Sequence, residues 1–327
     1  MVRGKTVLTV TANPAIDKNT EIDVVVPDKK LRCAAPMLDP GGGGINVSRA
    51  LNKLGYPSCA VYLSGGHSGG LLDDLLEAEG IARRCVPVGD EIRVNLIVYE
   101  ISTGRQYRFG FPGRNITQQE CEALLSEIPR ASCDGTPPGF IVASGSLPQS
   151  APMDFYAKTV RIANELGAKS VVDTSGEALK EALKERVCLL KTNLLEFRYL
   201  TGSPVESDDE IAALGSRMIE RGNAEYVVIS LGGRGAIGVW NGGFLRIPAP
   251  EVPTKSVIGA GDSMVAGLVL KLAMGKSFAE ALAMGVAASA AAVMTGGSEL
   301  CRKADALRLY GDIVDGLALS GQHLHPS

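Results

Sequence analysis

Histidine is scarce in this chain of 327 residues: His67, His323 and His325 are the whole supply, and two of them sit in a C-terminal tail, Gly321 to Ser327, that reads as frayed. That argues against histidine catalysis and leaves carboxylates as the proton acceptors. A broad basic field is also missing. The net charge is −3, so neither nucleic acid nor an anionic membrane is expected as a partner, and any positive charge used on a phosphate must be locally clustered. No long apolar core follows Met1 to Lys5. The most apolar stretch, Ala281 to Met294, is too short to span a bilayer and carries Gly285 and Ser289, so it reads as a buried helix. The seven cysteines are odd in number, scattered and without a Cys-x-x-Cys pair, which fits reduced core thiols in a cytoplasmic protein and no zinc site. Two nucleotide signatures are absent as well. Gly41 to Gly44 is not followed by Gly-Lys-Ser/Thr, and Gly232-Gly233-Arg234-Gly235 leads from one strand into another, a poor dinucleotide fingerprint.

What is present is enough apolar residue, 45% of the chain, for one large α/β domain with a small annex. Short continuous apolar runs read as strands at Thr6 to Thr11, Cys59 to Leu63, Phe140 to Ala143, Ser170 to Val172, Val187 to Leu190 and Tyr226 to Ser230. Helical stretches over 45–54, 69–79, 117–127, 152–166, 176–184 and 207–221 alternate with them, and 263–274, 278–294 and 303–317 close the chain. Continuous apolar strands are expected where helices cover both faces, so the pattern predicts a doubly wound, mainly parallel sheet. Ala236 to Trp240 and Gly243 to Ile247 flank Asn241-Gly242, a hairpin turn. Two further segments read as a small separate sheet forming a lid: residues 18–38, with extended stretches Ile22 to Val26 and Leu31 to Leu38, and residues 93–112, a hairpin around Ser102-Thr103-Gly104. In such an open sheet ligands collect at the carboxyl ends of the strands. The polar punctuation falls there: Asp17, Ser144-Gly145-Ser146, Asp173, Lys191-Thr192-Asn193 and Ser230-Leu231-Gly232-Gly233.

The stretch Val257-Ile258-Gly259-Ala260-Gly261-Asp262-Ser263 reads as a tight turn opening a helix. Glycines there leave backbone N–H groups uncovered at the positive end of a helix dipole, which suits an anion. Asp262 just past them either caps the helix or takes a proton beside a phosphoryl cradle; those residues alone favour the cap. Gly41 to Gly44 before a helix allows close approach of a polar ligand, though alone it is only a flexible turn. Lys29, Lys30, Arg32 and Arg93 are edge-strand charge, or, if the strands fold over a cleft, a phosphate clamp. Asn193 and Glu196 are three apart at a helix start, a spacing that suits Mg²⁺ through its waters and, on spacing alone, rather favours a helix cap with Glu in the first turn.

In this order the pieces resemble the PfkB, or ribokinase-like, sugar kinase family over nearly the whole chain. The resemblance is carried by Gly41-Gly42-Gly43-Gly44-Ile45-Asn46-Val47-Ser48-Arg49-Ala50, by Gly259 to Gly267, by Ser144 to Pro148 and by Val172 to Gly176. Lys30 to Pro36, the four-glycine run and Ser175 to Leu179 are similar to the 6-phosphofructokinase branch. Thr11 to Asp17 is more similar to the fructose-1-phosphate and tagatose-6-phosphate kinase branches.

The resemblance implies an ATP-dependent kinase of a ketohexose phosphate, first of all fructose 6-phosphate. It implies Asp262 as the base and the amides of Gly259, Ala260 and Gly261 as the γ-phosphate cradle. Asp17, Gly42, Gly43 and Asn46 would hold sugar hydroxyls. Lys30, Arg32, Arg93 and Ser146 would hold the existing phosphate. Lys191, Asn193, Ser230, Gly232 and Gly235 would contact ATP, with Glu196 helping to place Mg²⁺. Many relatives bind K⁺ near the cradle, here around Ser256, Ile258 and the 295–299 loop, but Thr295 and Glu299 depart from the family pattern. A homodimer through the lid is implied too. A catalytically silent sugar-phosphate sensor on the same fold is the reading from another class, and the intact Gly259-Ala260-Gly261-Asp262 argues against it.

Overall fold

A computed structural model describes residues 5–131 and 136–319. Cys133, His323, His325 and the tail fall outside them. The elements in chain order are β1 (Val7–Thr11), β2 (Ala15–Ile22), β3 (Met37–Gly41), α1 (Gly43–Leu54), β4 (Ser58–Gly65), α2 (Gly66–Ala78), β5 (Ala82–Val88), β6 (Arg93–Glu100), β7 (Arg105–Phe109), α3 (Gln118–Glu127), β8 (Phe140–Ser144), α4 (Phe155–Glu165) and β9 (Lys169–Asp173). They continue with α5 (Gly176–Ala182), β10 (Val187–Asn193), α6 (Leu194–Thr201), α7 (Asp208–Glu220), β11 (Ala224–Ser230), β12 (Ala236–Trp240), β13 (Gly243–Ile247), α8 (Ala260–Ala273), α9 (Phe278–Val293) and α10 (Lys303–Leu319).

Nine strands form one sheet in the order β13-β12-β11-β10-β9-β8-β1-β4-β5. Pairing is parallel from β5 through β11 and antiparallel from β11 to β12 and from β12 to β13. Alternate residues of a strand feed two separate cores. Leu190 and Val227 join one core, which also takes side chains of α3 to α7. Leu189 and Val228 join the other, with α1, α8, α9 and α10. That is the doubly wound arrangement which the continuous apolar runs predict. The chain winds outward in both directions from β1, so the carboxyl end of β1 beside β8 is the point where strand order reverses. No helix among the described residues is long and apolar enough to cross a membrane. Cys33, Cys85, Cys121, Cys188 and Cys301 are free thiols.

The remaining strands form a second sheet, β3-β2-β6-β7. Its hairpin lies where the sequence places it, but its first half does not. Residues 23–36 are irregular, and the strands fall on either side of them, Ala15–Ile22 and Met37–Gly41. Val24-Val25-Val26 reads as a strand from its composition, yet Val24 is exposed, and Val25 N donates not to a neighbouring strand but to the Glu100 carboxylate, at 2.7 Å. Two prolines, Pro27 and Pro36, remove donors that a ladder would need. β5 was not legible either. It is an edge strand carrying Arg83 and Arg84, and only Val86 is buried in it.

Candidate active site

The start of α8 removes one of the two roles open to Asp262, that of helix cap. The residue at the cap position is Gly259, in the left-handed conformation at φ 72°, and no side chain caps the helix. A side chain at Gly259 would be strained there and would collide with Leu300. Asp262 lies in the first turn, and its carboxylate turns instead to a neighbouring element, where Oδ2 accepts from Asn46 Nδ2 on α1 at 2.9 Å. Burial pushes the Asp262 carboxyl up to about 7, and the nearby Asp173 adds to this. The Asn46 hydrogen bond, Lys191 and Arg108 pull the other way. A carboxyl poised near neutrality is suited to accepting a proton from an alcohol.

Asp262 opens on a cavity of about 480 Å³. Its walls come from far-apart segments: Asp17 from β2, Gly42, Gly43 and Asn46 from the start of α1, Arg93, Asn95 and Arg108 from β6 and β7, Ser146 after β8, and Lys191 from β10. Ile258, Gly259 and Gly261 complete it. A side chain on Gly43 would meet Ser144 Oγ at 2.5 Å and Gly145 N at 2.6 Å, so only glycine lets α1 start this close to the end of β8. Lys191 is buried and paired with Asp173, Nζ to Oδ1 at 3.1 Å. Burial alone would lower its affinity for a proton, but the carboxylates around it, Asp173 first and then Asp262 and Glu196, together raise it.

The end of the cavity formed by the small sheet is rich in cations. Arg93 reaches Asn13 O with Nη2 at 3.1 Å, while its Nε is buried without a hydrogen-bond partner in the protein. Arg108 lies on the same sheet face. Asp17 accepts from Asn95 Nδ2 at 2.8 Å. Burial raises the Asp17 carboxyl, against the pull of Asn95, Arg108, Arg93 and Arg49. Asn13 Nδ2 donates to Ser146 Oγ at 3.3 Å.

A second cavity of about 500 Å³ adjoins the first and shares Val257 and Gly261 with it. Ser230, Gly232 and Gly235 line it at the end of β11, with Ala260 and Met264 at the helix mouth and Val286, Ala290 and Val293 of α9 as an apolar wall. The helix mouth therefore stands between a polar cavity and a cleft with an apolar side.

The structure thus brings together Asp262, Gly259, Gly261, Asp17, Gly42, Gly43, Asn46, Arg93, Ser146 and Lys191 in one cavity, and Ala260, Ser230, Gly232 and Gly235 in the next. It does not bring Lys30 or Arg32. Both are exposed on the irregular 23–36 stretch, which is tied down by Ala34 N to Glu21 O at 2.8 Å and by Thr20 Oγ1 to Ala34 O at 2.8 Å. In their place the sheet supplies Arg108 and Asn95. The period of two that marks β6 and β7 is the signal that could have found them, since Asn95 follows Arg93, and Arg108 follows Gln106, on the same face.

Asn193 and Glu196 line neither cavity. They form a capping box on α6: Glu196 N donates to Asn193 Oδ1 at 2.9 Å, and Asn193 N donates to Glu196 Oε2 at 3.0 Å. Ser256 and Ile258 are knit to the 293–300 segment. Ser256 Oγ donates to Gly297 O at 2.8 Å and accepts from Ile258 N at 3.2 Å, and Lys255 N donates to Val293 O at 2.7 Å. Thr295 Oγ1 donates to Ala292 O at 2.7 Å, and Glu299 pairs with Arg302. Gln106 of β7 meets Ser256 Oγ at 3.3 Å, a direct link from the small sheet to the turn before α8.

The model of the pfkB family of carbohydrate kinases matches residues 10–305. The ATP-dependent 6-phosphofructokinase isozyme 2 of Mycobacterium tuberculosis is 38% identical over 304 residues, 93% of this chain and 88% of that protein. The 1-phosphofructokinase of Bacillus subtilis is 30% identical over 285 residues, 87% of this chain and 91% of that one. A crystal structure of phosphofructokinase-2 from Escherichia coli in complex with fructose-6-phosphate superposes with a TM-score of 0.88 at 35% identity, covering 94% of this chain and 99% of that one. With that match over most of its length, and with the site assembled as described, the chain belongs to the pfkB family of carbohydrate kinases.

Proposed function

We propose that the protein transfers the γ-phosphoryl group of ATP to the 1-hydroxyl of fructose 6-phosphate, giving fructose 1,6-bisphosphate and ADP. The observation that carries this reading is one cavity that holds a carboxyl near neutrality beside an uncapped helix mouth together with Arg93 and Arg108 from the small sheet. The arginines take the phosphate the sugar already carries, charge-assisted and suited to a fork of donors. Asp17 and Asn46 hold hydroxyls in between. Asp262 accepts the hydroxyl proton as the sugar oxygen bonds to phosphorus and the bond to the ADP oxygen breaks. The amides of Gly259, Ala260 and Gly261 receive the charge that develops on the phosphoryl oxygens. The nucleotide lies in the cleft of Ser230, Gly232 and Gly235, with Lys191 alongside.

Mg²⁺ accompanies the nucleotide and neutralises its phosphates. The Asn193 side-chain oxygen Oδ1 and one Glu196 oxygen are already committed to the helix cap, so this pair fits the ion through its waters rather than as direct ligands. The turn at Ser256 and Ile258 and the 295–299 loop fit a K⁺ held by backbone carbonyls. A K⁺ complex is recorded for the Escherichia coli relative, and with Thr295 and Glu299 bonded elsewhere the main chain would have to supply the ligands.

The small sheet acts as a lid that keeps water, a competing acceptor, from the phosphoryl group. Its outer face exposes Leu38, Val94 and Phe109, which fits a homodimer formed through that face. Phe109→Glu should give a monomer in sedimentation; an unchanged oligomer would remove the face from the interface.

Coupled ADP release against a panel of sugar phosphates tests the reading. Fructose 6-phosphate should give the highest kcat/KM. Preference for fructose 1-phosphate or tagatose 6-phosphate would favour the second reading, to which Thr11 to Asp17 and the Bacillus subtilis relative lend support. Binding without turnover would make the protein a sensor.

A further inference from the structure

Asn46 does not hold Asp262 unaided. Its side-chain amide is set between two groups of opposite charge. Nδ2 donates to Asp262 Oδ2 at 2.9 Å, and Oδ1 accepts from Arg49 Nη1 at 3.4 Å. Arg49 follows Asn46 by one turn of α1, which puts both on one side of the helix. It does not line the cavity; it is 2% exposed behind it.

Every other bond of the guanidinium goes to the Glu79 carboxylate or to a backbone carbonyl. Nε donates to Glu79 Oε1 and Oε2 at 3.0 and 2.9 Å, and Nη2 donates to Glu79 Oε1 at 2.7 Å. Nη1 also donates to the carbonyls of Pro40 at 2.9 Å and Ser298 at 3.2 Å. Asp39 lies 3.9 Å away. A buried arginine clamped at five points has no freedom to follow a neighbour, so the neighbour conforms to it.

At 3.4 Å the Arg49 to Asn46 bond is long, and as a hydrogen bond it is weak. Its orienting effect comes from a full positive charge facing an amide dipole away from bulk water. Were the Asn46 amide turned over, its NH₂ would face the guanidinium and its carbonyl would face the Asp262 carboxylate. Two favourable contacts would become two unfavourable ones.

We propose that Arg49 is a positioning residue: it holds Asn46 with the amide nitrogen toward Asp262, and so keeps that carboxyl in the ionised form that accepts the hydroxyl proton. This rests on the kinase reading above. The groups facing Asp262 are Asn46 from α1, Asp173 from β9, Lys191 from β10 and Arg108 from β7. Those facing Arg49 are Glu79 after α2, Asp39 on β3 and Asp17 on β2. Of all these, only Asn46 is hydrogen-bonded to both Arg49 and Asp262, while Asp17 feels Arg49 through charge alone, so a change that keeps the charge reaches Asp262 chiefly through Asn46.

The test is the pH dependence of kcat/KM for the sugar phosphate, which reports the free enzyme. Arg49→Lys keeps a charge but loses the planar fork by which Glu79, Pro40 and Ser298 fix that charge opposite Asn46 Oδ1. Its acid limb should move up by about one pH unit, the scale of a lost hydrogen bond to a charged group, with the alkaline plateau and the KM for ATP close to wild type. In an Asn46→Ala background the same substitution should move the limb no further. Should Arg49→Lys fail to fold, Glu79→Gln, at a partly exposed carboxylate, loosens the same clamp and should shift the limb in the same direction. A folded variant of either kind with a lower melting temperature and an unmoved acid limb overturns the proposal. So does a further shift in the Asn46→Ala background. A wild-type protein that phosphorylates no sugar phosphate would sink the kinase reading itself, a different failure from an active enzyme with an unmoved limb.

Discussion

The two sheets bury their strands in opposite ways. β1 and β8, at the centre of the nine-stranded sheet, are buried at every position. β7, at the rim of the four-stranded sheet, is exposed or half-exposed at every position. The first sheet has helices on both faces; the second has one face toward the cavity and one toward solvent. The groups that would act on the transferred phosphoryl group, Lys191 and the α8 mouth, belong to the rigid part. The groups that would receive the sugar's own phosphate, Arg93 and Arg108, belong to the part with fewer neighbours. On the proposed function, the chemistry would be anchored where packing leaves least freedom, and substrate recognition where a strand can adjust.

That contrast can be broken or sharpened by experiment. The largest effect is expected in the rigid part. Asp262→Asn should lower turnover by about 10²–10⁴, the usual scale for a positioned base, with an unchanged circular dichroism spectrum; near-normal turnover would take the base out of the mechanism. In the small sheet, Arg93→Ala should raise KM for the sugar phosphate by roughly 10- to 100-fold, as for the loss of a charge-assisted hydrogen bond, and leave KM for ATP nearly unchanged. Equal effects on both substrates would contradict the division between the sheets. Gln106→Ala removes the link between them, and with it about one ordinary hydrogen bond, so a several-fold loss shared by both substrates is expected. If only one substrate responds, Gln106 serves one sheet alone.

The smallest effect is on stability, and its sign follows from the Asp262 carboxyl. Burial raises it from 3.8 to about 7 in the folded protein. Between those values the unfolded chain has released the proton while the folded one keeps it, so the folded state loses stability as pH rises from about 4 to about 7. Asp262→Asn carries no charge to bury. Its melting temperature should exceed that of the unliganded wild type by a few degrees at pH 8 and match it near pH 4. A gap independent of pH would place its cause elsewhere.

How far the sequence could be read follows the same division. Phe140 to Ala143 and Val187 to Leu190 declare themselves because burial on both faces leaves an unbroken apolar run. Val24-Val25-Val26 makes the same declaration and is no strand, since composition does not show that the stretch's backbone groups lack a neighbouring strand. Arg83 and Arg84 hide an edge strand whose charges face solvent. At the site, Asp262, Asn46 and the glycine runs were readable because a family pattern orders them. The choice between cap and base was not, because it depends on Gly259 taking the cap position. Charge and the family resemblance together pointed to Lys30 and Arg32, whereas Arg108, which lines the cavity, looked like one more residue of an alternating strand. Glu196 shows the reverse: the spacing fitted two roles, and the main chain of Asn193 already holds one of its oxygens.

The middle strands of the small sheet, β2 and β6, run parallel to each other and come from separate excursions of the chain. Each excursion leaves the large sheet and returns to it, so four covalent tethers bind the cover to its base. Such a piece cannot be excised by one cut or grafted as one insert. Removing residues 93–112 would strip β2 of its parallel neighbour and expose an unsatisfied row of amides, and any evolutionary shortening would have had to take both excursions together.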